Sequence, residues 1–286
     1  MRIALLAAAA VLLVGCVAAG DEQAGATPQV GTSEWTLDHD GHARTYRLYR
    51  PAALDEPAPL VVVLHGALGT GAQAQRAYGW DAMADATGFA VAYPDGVDRA
   101  WNTEGDCCGT PGRTGVDDVG FLAAMINEIG AAVPVDRDRI YLTGMSNGAM
   151  MSYTMACRTS VAAAIGPVAG TQLGDCADPA PTSVIHVHGS DDANVRYDGE
   201  PGIGIARIDG PPVPELHDFW RAVDDCAASE STTTGQVTVA AANCRDGRAV
   251  RLVTVAGTGH SWPGTRSGDP LDATAVIWEF FATRQR

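Results

Sequence analysis

Residues 60–64, Leu-Val-Val-Val-Leu, form an apolar run with no polar residue at alternate positions. Such a run suits a strand covered on both faces, and strands of that kind belong to parallel sheets packed between helices. The rest of the chain repeats the theme. Residues 34–39 and 44–50 alternate around Asp40-Gly41, the turn chemistry of a β-hairpin, and a Pro-bounded loop follows at 51–59. Helical spacing over 72–86 leads to a short strand at 89–93. Asp117-Asp118 can cap a helix at 119–132. Strand 139–143, helix 149–157 and strands 162–168 and 183–187 continue the alternation. A Gly/Pro-rich loop at 199–214, a helix through Phe219-Trp220, a strand at 251–255 and a helix at 273–281 complete it. This βαβ order predicts one α/β domain, with no internal repeat and no second domain.

Composition narrows the chemistry. The 286 residues are 46% hydrophobic and 19% charged, enough to bury the core of a single domain, and the formal charge is −15. That charge argues against nucleic acid as a partner, because affinity for its backbone comes largely from Lys and Arg. The chain has no lysine; all 19 basic residues are arginines. A Walker-type phosphate loop, a Schiff-base lysine and a Ser-Lys dyad are thereby excluded.

The N-terminus reads as an export signal: Arg2, an apolar run at 4–14 too short to span a bilayer, and small residues after it. Leu13-Val14-Gly15-Cys16 resembles a bacterial lipobox. Residues 1–15 would then be a lipoprotein signal peptide, Cys16 the lipidated first residue, and 16–33 a flexible tether to a catalytic domain at 34–286. Ordinary cleavage near Ala19 is the alternative. Either way the product is exported, at the cell envelope or outside it, with lipid on Cys16 as the only expected membrane contact. The remaining cysteines, Cys107, Cys108, Cys157, Cys176, Cys226 and Cys244, are even in number, and disulfides are the expectation for an exported chain. Cys226 and Cys244, in one local segment, are the first pair to expect; the other partners stay open. Zinc is disfavoured, since no C-x-x-C pair recurs at finger-like spacing.

Gly144-Met145-Ser146-Asn147-Gly148 fits G-x-S-x-G between an apolar strand and a helix, the context of a nucleophile elbow in the α/β-hydrolase fold. That fold implies a mostly parallel central sheet with helices on both faces, here without a large cap domain. The glycines allow the sharp bend that lifts a hydroxyl above the sheet, and the helix start offers free N–H groups to an oxyanion. A serine needs a base to take its proton. His260 lies where one is expected, in a glycine-rich loop after strand 251–255. The acid should follow strand 183–187, where Asp191 and Asp192 qualify equally by position.

Residues 188–197, His-Gly-Ser-Asp-Asp-Ala-Asn-Val-Arg-Tyr, resemble the H-G-x-x-D-x-x-V-x-Y segment of poly(3-hydroxybutyrate) depolymerase-like esterases, which are related to feruloyl and acetylxylan esterases. The likeness covers most of 44–283. It includes 59–66 with Ala67, Tyr93-Pro94-Asp95-Gly96, Trp101-Asn102, 117–121 and 259–264. It implies a serine esterase with Asp192 as the triad acid and Asp191 capping the loop. The N–H groups of Ala67 and Asn147 would form the oxyanion hole, and no cofactor would be needed. Trp101, Tyr197 and Trp262 either stack on substrate or pack the rim. His186 and His188 share a strand face, but their spacing suits satisfied core histidines better than a metal site, so none is expected. Asp118 is read as a helix cap. The expected reaction is acyl transfer from an ester to water, on a hydroxyalkanoate or an aromatic or acetyl polysaccharide ester. No substrate-binding module is expected after Arg286. The rival readings are a peptidase or thioesterase, and a noncatalytic lipoprotein that uses the fold to bind.

Overall fold

Strands β1 (Gly31–His39) and β2 (His42–Arg50) form the expected hairpin, with Asp40 and Gly41 both at positive φ in its two-residue turn. The structure, a computed structural model, describes residues 29–54, 57–105, 107–203 and 207–286. The signal segment, Cys16 and most of the tether lie outside the described residues; β1 begins at Gly31, inside the stretch expected as tether.

In chain order follow β3 (Ala58–Leu64), α1 (Gly71–Ala77), α2 (Trp80–Thr87), β4 (Ala90–Pro94), α3 (Gly109–Thr114), α4 (Asp118–Ala132), β5 (Val135–Met145) and α5 (Asn147–Arg158). The second half holds β6 (Ala164–Val168), β7 (Ser183–Gly189), α6 (Val213–Val223), β8 (Glu230–Thr234), β9 (Val237–Asn243), β10 (Ala249–Val255) and α7 (Ala273–Phe281). All strands join one ten-stranded sheet in the order β1-β2-β4-β3-β5-β6-β7-β10-β9-β8. Its centre, β4 through β10, is parallel, and the two outer pairs are antiparallel.

The apolar run of β3 has its cause in the packing on either side. Leu60, Val62 and Leu64 face one core with Phe121 and Ile126 of α4, Met151 of α5 and Trp220 of α6. Val61 and Val63 face a second core with Ala74 of α1, Trp80 of α2, and Ile277 and Phe281 of α7. With both faces covered, no position can be polar.

Three local expectations change. The helix expected over 72–86 is two, because Gly79 adopts φ 75 and ends the first turn sequence before Trp80 starts the next. The hairpin β8–β9 was not expected: every β8 side chain is exposed, so its sequence carries no alternation. The cap of α4 is Asp117, whose carboxylate accepts the Gly120 N–H; Asp118 instead points inward to Arg44, 2.6 Å away.

The disulfides are Cys226–Cys244, the pair expected first, with Cys157–Cys176 and the adjacent Cys107–Cys108. The two that close loops span 18 and 19 positions, each worth about 3 kcal/mol in the chain-entropy account.

Asp224, buried at the end of α6, accepts the Thr182 N–H with one carboxylate oxygen and leaves the other without a partner among the described residues. Burial pushes its pKa up to about 7, against the pull of Arg248 at 3.3 Å and of the Thr182 N–H. A raised folded-state pKa means stability that is full below the ordinary carboxyl range and is lost as pH rises through about 7. Chemical unfolding of the wild type should therefore show a loss of stability between about pH 4 and pH 8 that Asp224→Asn, which keeps the acceptor for Thr182, largely removes. An identical pH dependence in the variant would mean that this carboxyl titrates normally.

Candidate active site

The loops that carry the candidate residues all leave the C-terminal ends of parallel strands: 65–70 after β3, Ser146 after β5, 190–197 after β7 and 256–264 after β10. This is the edge where open α/β sheets place their ligands.

Ser146 sits between β5 and α5 at φ 56 and ψ −119, a conformation that costs a non-glycine residue about 1–3 kcal/mol. The surroundings enforce it. A Cβ on Gly148 would lie 2.3 Å from Leu64 O, and one on Gly144 would lie 2.7 Å from both Leu64 O and Gly148 O, so only glycines let α5 start this close to β3. The Ser146 N–H donates to Val168 O at 2.9 Å, tying the bend to β6.

Three strand steps of about 4.8 Å separate β5 from β10, so an imidazole after β10 must lean back across β7. It does. Asp191 N–H donates to Thr258 O at 3.0 Å, and a Cβ on Gly189, the last residue of β7, would collide with that same carbonyl. His260 Nδ1 meets Asp192 Oδ2 at 2.8 Å, while Asp192 Oδ1 accepts the N–H groups of Asn194 and Val195. Burial pushes the Asp192 carboxyl up, but His260, Val195 N–H and His188 together pull it below its usual range. Asp191, level with Asp192 in sequence, is exposed and accepts the Ser190 hydroxyl. The Ser146 hydroxyl makes no hydrogen bond to any described residue; contacts between nucleophile and base commonly tighten only with substrate in place.

Gly66 packs against the elbow, where a Cβ on it would stand 3.5 Å from Ser146 Cβ, so Ala67 follows directly beside the candidate nucleophile. Leu68 N–H to Arg99 O and Gly69 N–H to Gly66 O close this loop. The Arg99 guanidinium donates to Leu68 O and Gly69 O. Asn147 is held by a two-way pair, accepting the Trp101 N–H at 2.7 Å and donating to Trp101 O at 3.1 Å. Its own N–H is in the first turn of α5, where helices have no internal acceptor.

Of the three aromatic residues read as either stacking on substrate or packing the rim, two are buried. Trp101 is 0% exposed and donates its indole N–H to His65 O; Trp262 is 3% exposed, stacks on Tyr78 at 4.3 Å and donates to Thr274. Both pack the loops that shape the site. Tyr197 is half-buried, its hydroxyl 2.9 Å from Thr254 Oγ1.

Residue-by-residue reading missed His65. Its Nε2 accepts the Gly96 N–H, so Nδ1 carries the proton and donates to Gly66 O; burial pushes its pKa down and keeps it neutral. Its only sequence signal was its place just before Gly66 at the end of β3. Asp118 was likewise mistaken for a cap: it accepts the Asn102 N–H and pairs with Arg44, which lies 3.9 Å over the Phe121 ring. That pair anchors the loop carrying Trp101.

Sheet order, elbow and edge loops define an α/β hydrolase. Residues 44–200 match the family described as Esterase PHB depolymerase. The protein named "Putative esterase NocK" from Nocardia uniformis subsp. tsuyamanensis is 34% identical over 78% of this chain and 72% of its own length. Feruloyl esterase B of Piromyces equi is 30% identical over 72% of the chain, and poly(3-hydroxyalkanoate) depolymerase C of Paucimonas lemoignei is 34% identical over 42%. The chain spans only 40% and 30% of those two proteins. An acetyl xylan esterase from Aspergillus awamori shares the fold at TM-score 0.64 and 17% identity, over 88% of this chain and 99% of that one. The chain belongs to the Esterase PHB depolymerase family and is a carboxylic ester hydrolase.

Removing the Asn147 side chain strands two buried polar groups of Trp101. Asn147→Ala should lower the unfolding free energy by roughly 2–4 kcal/mol, as read from urea unfolding, and an unchanged value would mean that the clamp on Trp101 contributes nothing.

Proposed function

We propose that this protein is an exported serine esterase that works by two-step acyl transfer, with Ser146 as nucleophile, His260 as general base and acid, and Asp192 as the orienting carboxylate. The observation that carries the reading is the 2.8 Å contact between Asp192 and His260 Nδ1, made by loops from β7 and β10, with Ser146 raised on a strained bend at the same sheet edge. Asp192 holds the proton on His260 Nδ1, which leaves Nε2 free to take the Ser146 proton as the hydroxyl attacks an ester carbonyl. The N–H groups of Ala67 and Asn147 receive the oxyanion, each donor of this kind lowering the barrier by about 2.7–4 kcal/mol. His260 then protonates the leaving alcohol, and water activated by the same imidazole releases the acyl group.

The preferred substrate is a short hydroxyalkanoate ester, in keeping with the family. A feruloyl or acetylxylan ester on plant polysaccharide is the second reading, favoured by the names of the Piromyces and Aspergillus proteins. Lipid on Cys16 would hold the enzyme at the cell envelope; mass spectrometry of the mature N-terminus tests this, and a chain beginning near Ala19 would refute it.

A fluorophosphonate probe should label the wild type on Ser146 and leave Ser146→Ala unlabelled. Asp192→Asn should lower kcat by about 10³–10⁴-fold, since the imidazole then loses its tautomer and aim. No adduct on the wild type would favour a noncatalytic binding module. Turnover of 3-hydroxybutyrate oligomers, methyl ferulate, p-nitrophenyl acetate and a peptide anilide separates the substrate classes, and fastest turnover of the anilide would overturn the ester assignment.

A further inference from the structure

Behind Asp192 runs a line of buried polar side chains that acyl transfer does not use. The Tyr153 hydroxyl, on α5, lies 2.9 Å from His186 Nδ1, and His186 Nε2 lies 2.9 Å from His188 Nδ1. His188 Nε2 is 2.8 Å from Val195 O and 3.5 Å from Asp192 Oδ2. All four side chains are buried.

The protons in this line can be assigned by elimination. Val195 O only accepts, so His188 Nε2 carries a hydrogen. Burial pushes both imidazoles below their ordinary pKa, strongly so for His186, where the neighbouring His188 and His217 add to the effect. Neutral His188 therefore has a bare Nδ1, which must accept from His186 Nε2–H. His186 Nδ1 is then bare in turn and accepts the Tyr153 hydroxyl. Every hydrogen points toward Asp192. If His188 took up a second proton, its Nδ1 would become a donor facing the His186 Nε2–H; a second proton on His186 would face the Tyr153 hydroxyl, which can turn to accept it, so burial is what holds that ring neutral.

We propose that Tyr153, His186 and His188 are positioning residues that act through Asp192. Val195 O, which can only accept, fixes the tautomer of both rings, and the Tyr153 hydroxyl completes the line by donating to His186 Nδ1, so that His188 presents an N–H, never a bare nitrogen, to Val195 O and to the carboxylate that orients His260. The opposite set of tautomers would put a bare His188 nitrogen against a carbonyl and a carboxylate, and would strand a buried acceptor. The loop it braces is the one whose Asn194 and Val195 N–H groups hold Asp192. The line also keeps two histidines beside the triad from competing for the proton that His260 handles. The titratable groups facing it are Tyr153, Asp192, His260, the edge of Tyr197 at 5.9 Å and His217 of α6. The inference rests on the triad reading above.

Nitrogen-15 NMR of histidine-labelled protein tests the tautomers directly. His186 and His188 should both remain neutral, with hydrogen on Nε2, from about pH 5 to pH 8, where an ordinary imidazole changes charge. Titration of either ring in that window, or hydrogen on Nδ1, overturns the proposal whether or not any variant folds. Tyr153→Phe should lower kcat by about tenfold, a fraction of what a general base supplies, with KM within about twofold of wild type. His188→Gln, which can still offer an N–H to Val195 O, should retain more kcat than His188→Leu. Unchanged kcat in Tyr153→Phe, or equal loss in the two His188 variants, overturns it. Fluorophosphonate labelling of wild-type Ser146 reads the triad independently, so failure of that reading is told apart from failure of this one.

Discussion

The Asp192 carboxylate is the hinge on which the site turns. It is buried, which by itself would disfavour charge, yet His260, two backbone N–H groups and His188 surround it and hold its pKa below the usual range. A buried charge is tolerable only when nearly every lone pair is occupied in this way. The same bonds fold the 190–197 loop back on itself and draw the β10 loop across the end of β7. One group thus sets both the electrostatics and the geometry of the edge.

The rest of the edge is built by backbone approach and by side chains that satisfy the backbone. Gly148 lets α5 start against β3, and Gly66 lets the following loop lie against Ser146. Asn147 clamps Trp101, Trp101 donates to His65 O, and His65 spans Gly66 and Gly96. The buried Arg44–Asp118 pair fixes Asn102 next to them. These bonds link loops from β3, β4 and β5, so the candidate oxyanion groups rest on a rigid frame rather than on a mobile loop.

Much of this was legible along the chain. The βαβ order follows from apolar runs too dense for one-sided strands, and the elbow follows from a short pattern whose meaning is local. The final helix, at 273–281, agrees with the sequence reading to the residue, and the structure shows Asp272 capping it through the Ala275 N–H. Where the reading failed, the signal was not local. Gly79 lies within an otherwise helical pattern, and only the packing of Trp80 against Phe89 and Phe281 shows that the chain turns there. The strand β8 has no buried side chain and so no pattern. For Trp101 and Trp262 the sequence left stacking on substrate and packing both open, because nothing in a glycine-rich loop says which way it folds.

What the sequence determined alone was the class of fold, the candidate nucleophile and the candidate base, since a strand-turn-helix bend and the order of strands are properties of neighbouring residues. What the tertiary structure decided was which of two adjacent aspartates faces the imidazole. Asp191 and Asp192 differ by one position; the turn after β7 sends one side chain to solvent and the other inward. It also decided that His186 bonds both to His188 and to Tyr153, a residue more than thirty positions earlier. Hydrogen bonds of that reach depend on how strands and helices stack, and no short stretch of chain records it.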